Sequence, residues 1–145
     1  MNWFEDLRVG QRWLSPGRTL TADEIHDFAV RYDAQFLHID AEAAAAGPFG
    51  GIIASGFHTL AVAWALFLQT GAMGESSRGG IGMDEVRWLL PVRPGDTLRV
   101  ETEVAELGTP RRGRGRIVLA HAVRNQRGET VLTYRTLGLI ATRPS

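Results

Sequence analysis

Cysteine and lysine are both missing from this chain of 145 residues. Without cysteine there is no thiolate nucleophile, no disulfide framework and no thiolate metal site, and the absence fits a reducing cytosol. Without lysine there is no amine for a Schiff base. All sixteen cationic side chains are arginines, and sixteen carboxylates balance them to a net charge of zero. No basic field for nucleic acid or an acidic bilayer is built in, so neither is expected as a partner. The most apolar run, Leu60 to Leu68, is too short to span a membrane. The opening M-N-W-F-E-D-L-R-V-G carries acids and lacks a basic stretch ahead of an apolar core, so it does not read as a secretory signal, and a cytoplasmic location is expected. Four histidines without a ligand-spaced pair and a supporting acid predict no metal site. The length suits a single domain over residues 1–145 with one core.

What the chain does have is concentrated between Tyr32 and Leu68. Y-D-A-Q-F-L-H sets a carboxylate, Asp33, five residues before an imidazole, His38, on what reads as a short loop. G-P-F-G-G-I-I-A-S-G-F-H-T-L then leads into the apolar run. A carboxylate and a histidine close together can share a water or a substrate proton as general base and acid. A helix that opens at Gly56 offers free N–H groups and a positive dipole end to a developing oxyanion, and with no Cβ there an oxygen can approach closely.

The remaining pattern reads as scaffold. Thr21 and Glu24 have capping-box spacing, and Ile25, Phe28, Ala29 and Tyr32 fall on one helical stripe, which predicts about three turns of helix ending at Asp33. Asp40 can cap a short turn over Ala41 to Ala46, stopped by Gly47 and Pro48. Gly56 to Gln69 is predicted as a helix apolar nearly all round, which must be covered on most sides. Four strands are predicted at Ile81 to Leu90, Thr97 to Leu107, Gly115 to Asn125 and Thr130 to Ala141, joined by turns rich in Pro and Gly, with one or two short strands at Gln11 to Leu14 and near Arg18. Short connections imply an antiparallel sheet, and together with the helix an α+β fold in which the sheet curls around the helix.

The run from Thr21 to Leu60, with D-A-Q-F-L-H and A-S-G-F-H-T-L, together with the later R-P-G-D-T-L, resembles the MaoC-like dehydratases and (R)-specific enoyl-CoA hydratases over nearly the whole chain. The resemblance implies a hot-dog fold, a long helix wrapped by a curved antiparallel sheet of five to six strands. It further implies a lyase that hydrates enoyl thioesters of coenzyme A or dehydrates 3-hydroxyacyl ones, with coenzyme A as part of the substrate and no other cofactor. By resemblance Asp33 and His38 are the catalytic pair, and the backbone N–H of Gly56 polarises the thioester carbonyl. Gln35 and Phe36 stand where the family most often has Asn and Pro, and with Ser55, Phe57 and Trp64 they are the expected substrate contacts. Trp64 occupies a helix position where smaller or polar residues are common, which implies an altered acyl pocket. The family usually dimerises sheet edge to sheet edge, so a homodimer is expected, or a higher oligomer of dimers, with the loop from Ala41 to Gly51 at the mouth of the site.

Other readings stay open at this stage. A hot-dog thioesterase usually carries its acid on the central helix, and Gly56 to Gln69 has no Asp or Glu. A noncatalytic acyl-binding subunit would tolerate loss of Asp33 or His38, and both are present. His58 is expected to be a structural hydrogen-bonding histidine, and His26 and His121 are assigned no role. Arg111, Arg112, Arg114 and Arg116 read first as a solvated turn and second as a contact for coenzyme A phosphates. Trp3, Trp13 and Trp88 are expected in the core or at an interface.

Overall fold

The computed structural model describes residues 2–145. An N-terminal arm makes a single 3-10 turn at Phe4–Asp6 and two short strands, β1 (Arg12–Leu14) and β2 (Arg18–Thr19). Helix α1 (Ala22–Tyr32) follows. Its predicted capping box is present: Glu24 N–H donates to Thr21 Oγ1, and Thr21 N–H donates back to Glu24 Oε1. Ile25 and Ala29 bury the α1 stripe, whereas Phe28 and Tyr32 pack on each other at its less covered end.

Three more helices bring the chain to the sheet: α2 (Phe36–Ile39), α3 (Ala41–Ala45) and α4 (Gly56–Gln69). The stretch between Asp33 and His38 was expected as loop. It closes instead into the one-turn helix α2, entered from Gln35 in extended backbone and left when Asp40 N–H bonds to the Phe36 carbonyl. Asp40 then caps α3 through Ala43 N–H, as its position predicts.

Four long strands complete the chain: β3 (Ser77–Trp88), β4 (Thr97–Leu107), β5 (Arg114–Arg124) and β6 (Thr130–Ala141). The sheet runs β1-β4-β5-β6-β3, with β2 also on β4, and every pairing is antiparallel. Strand β3 differs most from expectation. It starts four residues before Ile81, because its glycines conceal the alternation of a strand, and it ends before Leu89, where two successive N–H groups both turn to the Val131 carbonyl. As an edge strand paired only with β6, it tolerates three register shifts.

The inner face of β4, β5 and β6 packs on Val62, Ala63, Leu66 and Phe67 of α4. Burying such aliphatic and aromatic side chains contributes roughly 1.5–3 kcal/mol each, which makes this helix–sheet layer the main source of stability. A polar cluster around His121 interrupts it. His121 is buried between Thr102 and Thr136, whose hydroxyls pair with Nδ1 and Nε2 at 2.8 Å each, and its ring stacks on Tyr134. Burial pushes the His121 pKa down to about 3, so the ring stays neutral in the core. The opposite stripe of α4 is less covered: Phe57, Ala61 and Leu68 are exposed and Trp64 is half-buried.

Candidate active site

Asp33 closes α1, and its backbone N–H still bonds to the Ala29 carbonyl, so the carboxylate is held at a fixed helix end. The turn of α2 swings the chain back on itself and sets His38 Nε2 3.4 Å from Asp33 Oδ2. The two side chains are only 12% and 5% exposed. Both are further anchored from the segment that enters α4. The His38 Nδ1–H donates to the Ile53 carbonyl at 2.6 Å, because a carbonyl can only accept. That bond fixes the orientation of the ring and turns Nε2 toward Asp33. The Ser55 hydroxyl donates to Asp33 Oδ2 at 2.7 Å, and the Gln35 amide donates to Oδ1 at 2.6 Å.

The electrostatics follow from these donors. The Ser55 hydroxyl first and the Gln35 amide second hold the Asp33 carboxyl below its ordinary pKa, and the nearby imidazole adds to the effect against the opposing effect of burial. Asp33 is therefore an anion over the whole neutral range. Ser55 does a second job at the same time: its Oγ accepts the Phe57 N–H as the N-cap of α4. The first N–H of the helix, on Gly56, has no protein acceptor among the described residues. Trp88 lies directly over Gly56: its Nε1–H donates to the Gly56 carbonyl, and a Cβ at Gly56 would come within 2.5 Å of the indole. Only glycine leaves that approach open.

These groups share a cleft of about 340 Å³, lined by Asp33, Gln35, His38, Gly56, Phe57 and Trp88 together with Phe49 and Pro91. A larger cavity of about 620 Å³ lies beside it, between α4 and strands β3 and β6. The larger one has no carboxylate or histidine in its walls, so the chemistry belongs to the smaller. Phe57 lines both and forms the partition between them.

A family model described as "MaoC like domain" matches residues 7–125. The chain belongs to the MaoC-like family. Its fold is the hot dog. A MaoC-like dehydratase from Rhodospirillum rubrum superposes with a TM-score of 0.93 at 36% identity, over 100% of both chains. The uncharacterized protein YdeM of Bacillus subtilis is 32% identical over 86% of this chain and 88% of its own length. The 3-hydroxyacyl-thioester dehydratase Z of Mycobacterium tuberculosis is 38% identical over 67% of this chain and 64% of its own. The family thus contains proteins named as dehydratases alongside others without an assigned activity.

The expected site residues fall into four groups in this MaoC-like fold. Asp33, His38, Gln35, Gly56 and Phe57 share the cleft. Ser55 is fully buried and is not among the residues lining the cleft; its hydroxyl holds Asp33 and caps α4. Trp64 lines the larger cavity only. Phe36 lies outside the cleft lining: it is 48% exposed, beside Gly47, because the turn that points His38 inward points Phe36 away. His58 also differs from expectation. It is held by stacking on Phe28, and its Nδ1 has no hydrogen-bond partner. Trp13 packs on Phe67 in the core, whereas Trp88 stands in the cleft, which its place in the sequence did not reveal. The arginine-rich turn joins β4 to β5 at the end where Arg114 pairs with Ala141. Val131, which lines the cleft, is near the opposite end of β6. At about 3.3 Å per residue along β5, the turn is on the order of 25 Å from the cleft within one chain.

Proposed function

We propose that the protein is a hydro-lyase that adds water to an enoyl thioester of coenzyme A, or removes it from the corresponding 3-hydroxyacyl thioester, by Asp33/His38 acid–base catalysis. One observation carries the reading. His38, with Nδ1–H committed to the Ile53 carbonyl, turns Nε2 toward an anionic Asp33, in a cleft that also holds the free N–H of Gly56. In the hydration direction, Asp33 Oδ2 and His38 Nε2 orient one water. Its oxygen bonds to the β-carbon as Nε2 takes the proton, and electron density moves to the thioester oxygen, which the Gly56 N–H and the N-terminus of α4 stabilise. The proton on Nε2 then passes to the α-carbon, so the elements of one water are added and the ring returns to its starting tautomer. Asp33, kept anionic by Ser55 and Gln35, is a poor base and a good partner for the transient imidazolium. Dehydration runs the same steps in reverse. No cofactor beyond the thioester's own coenzyme A enters the scheme.

The name of the Mycobacterium tuberculosis relative, a 3-hydroxyacyl-thioester dehydratase, supports the reaction class. The acyl chain would pass Phe57 toward the larger apolar cavity, where Trp64 limits its bulk. A homodimer belongs to the same reading, because β3 is a twelve-residue edge strand carrying exposed Ile81 and Met83, next to the uncovered stripe of α4. The test is a panel of 2-enoyl-CoA substrates of varied length and branching, followed by loss of the conjugated-thioester absorbance. Hydration of at least one member is expected. Release of free thiol without hydration would replace the reading with a thioesterase.

A further inference from the structure

The proposed substrate carries its phosphates far from the reacting carbons, and the arginine-rich β4–β5 turn is at the wrong end of the chain to meet them. Another guanidinium is better placed. Arg93 follows Pro91 and Val92, both of which line the catalytic cleft. The Val92 carbonyl accepts the N–H of Ala54, two residues before Gly56, so this turn is tied to the entry of α4. Arg93 Nη2 donates to the carbonyl of Phe49, an aromatic that lines the cleft. Its Nη1 lies 3.6 Å from where a Cβ of Gly51 would stand, so the guanidinium spans the Phe49–Gly51 backbone.

Its charge is left without a partner. No carboxylate among the described residues lies within salt-bridge distance of Arg93. The nearest acid in sequence, Asp96, has one oxygen on the Arg93 backbone N–H and the other on the Gln126 amide. The backbone N–H groups of Gly51 and Ile52, in the same half-buried stretch, also have no acceptor among the described residues. Gly50 precedes them with φ +67°, a turn conformation that suits exposed successive amides. A fixed guanidinium beside unpaired amides, at the rim of a cleft whose floor carries the acid–base pair, has the composition of a phosphate site.

We infer that Arg93, with the Gly51–Ile52 backbone, binds a phosphate of the thioester's carrier group at the mouth of the cleft. The inference rests on the hydro-lyase reading for the identity of the thioester. The chemistry is a phosphate ester on a pantetheine arm, whether from coenzyme A or from a phosphopantetheinylated carrier protein.

The experiment compares wild type, Arg93→Gln and Arg93→Lys on one 2-enoyl group carried by coenzyme A, by 4′-phosphopantetheine and by N-acetylcysteamine, which has no phosphate. For Arg93→Gln, loss of a charge-assisted hydrogen bond should lower kcat/KM on the coenzyme A thioester about 10- to 100-fold, mainly through KM. Activity on the N-acetylcysteamine thioester should stay within about twofold of wild type, and Arg93→Lys should recover part of the loss. A matching loss on 4′-phosphopantetheine assigns the contact to the phosphate shared with a carrier protein; a loss confined to coenzyme A assigns it to the nucleotide phosphates. Equal losses on all three substrates, the result of Arg93 merely holding Phe49, would overturn the inference, as would no loss on coenzyme A. Calorimetric titration with coenzyme A alone separates this inference from the reaction: wild-type binding that weakens in Arg93→Gln upholds the phosphate site even if no thioester is hydrated. Absence of wild-type binding together with absence of turnover overturns both.

Discussion

Ser55 holds together more of this protein than its size suggests. One oxygen atom donates to Asp33 and accepts from Phe57, so it links the ionisation of the carboxylate to the start of the helix that carries Gly56. The consequence for pH has a definite sign. A carboxylate whose folded pKa is depressed is lost as the active anion only when pH falls through that lowered value, and any stability it contributes is lost over the same window. Ser55→Ala removes the largest of the lowering influences. The Asp33 titration, followed by carboxyl carbon NMR, is therefore expected to move upward toward the ordinary carboxylate value; an unchanged midpoint would show that Ser55 does not control it. The lost cap should also cost about 1 kcal/mol of stability. Asp33→Asn and His38→Ala act on the chemistry itself. Each is expected to reduce turnover by about two to four orders of magnitude. Circular dichroism should be unchanged in both, since neither side chain belongs to the apolar core clusters. Full activity in either variant would remove the acid–base assignment.

The elements around the site are held at two ends. At the cleft end, α1 and α2 are tied to the approach to α4 by Asp33–Ser55, His38–Ile53 and the Ile53 N–H to the Leu37 carbonyl. At the far end the arm is held by hydrogen bonds from Ser76 to the Asn2 carbonyl and from the Arg143 N–H to Glu5, and also by packing: the Phe4 ring fills the place where a side chain on Gly115 of β5 would be. Phe4 is buried there, so a methyl group must displace it. Gly115→Ala is accordingly expected to destabilise the fold by about 1–3 kcal/mol, read from a lowered urea midpoint. The kcat/KM should change little, because the cleft lies at the other end of the sheet. Phe4→Leu in the Gly115→Ala background should recover part of the loss, a coupling expected only of residues in contact. Additive losses would mean that the two sites do not touch.

At the scale of the whole molecule, the unresolved demand is the coverage of β3 and of the exposed stripe of α4. An unpaired edge is a liability unless it is paired, charged or covered, and β3 presents glycines with Ile81 and Met83 along most of its length. Pairing two copies along β3 would extend the sheet and bring cover to Phe57 and Leu68 at once. A homodimer is expected at micromolar concentration by light scattering, with an interface well above roughly 1,000 Å². Arg replacements at Ile81 and Met83 together should shift it toward monomer. A wild-type monomer that still hydrates an enoyl thioester would reject the dimer while leaving the catalytic reading intact.

The periodic and local features were determined by the sequence by itself. The capping box at Thr21 and Glu24, the extent of α4 and the spans of β4 and β6 follow from short-range hydrogen bonding and from apolar alternation, which act over a few residues. The pair Asp33 and His38 was legible as a candidate from spacing and family resemblance. Tertiary structure decided what lies across the chain. Only the fold turned Phe36 outward and His38 inward, laid Trp88 over a glycine 32 positions away, assigned Ser55 to support instead of contact, and set Arg93 against Phe49. It also carried the arginine-rich turn away from the cleft, because the eleven-residue strand β5 separates that turn from the end of the sheet beside Val131. Such contacts depend on how helix and sheet pack, and no local pattern of residues encodes them.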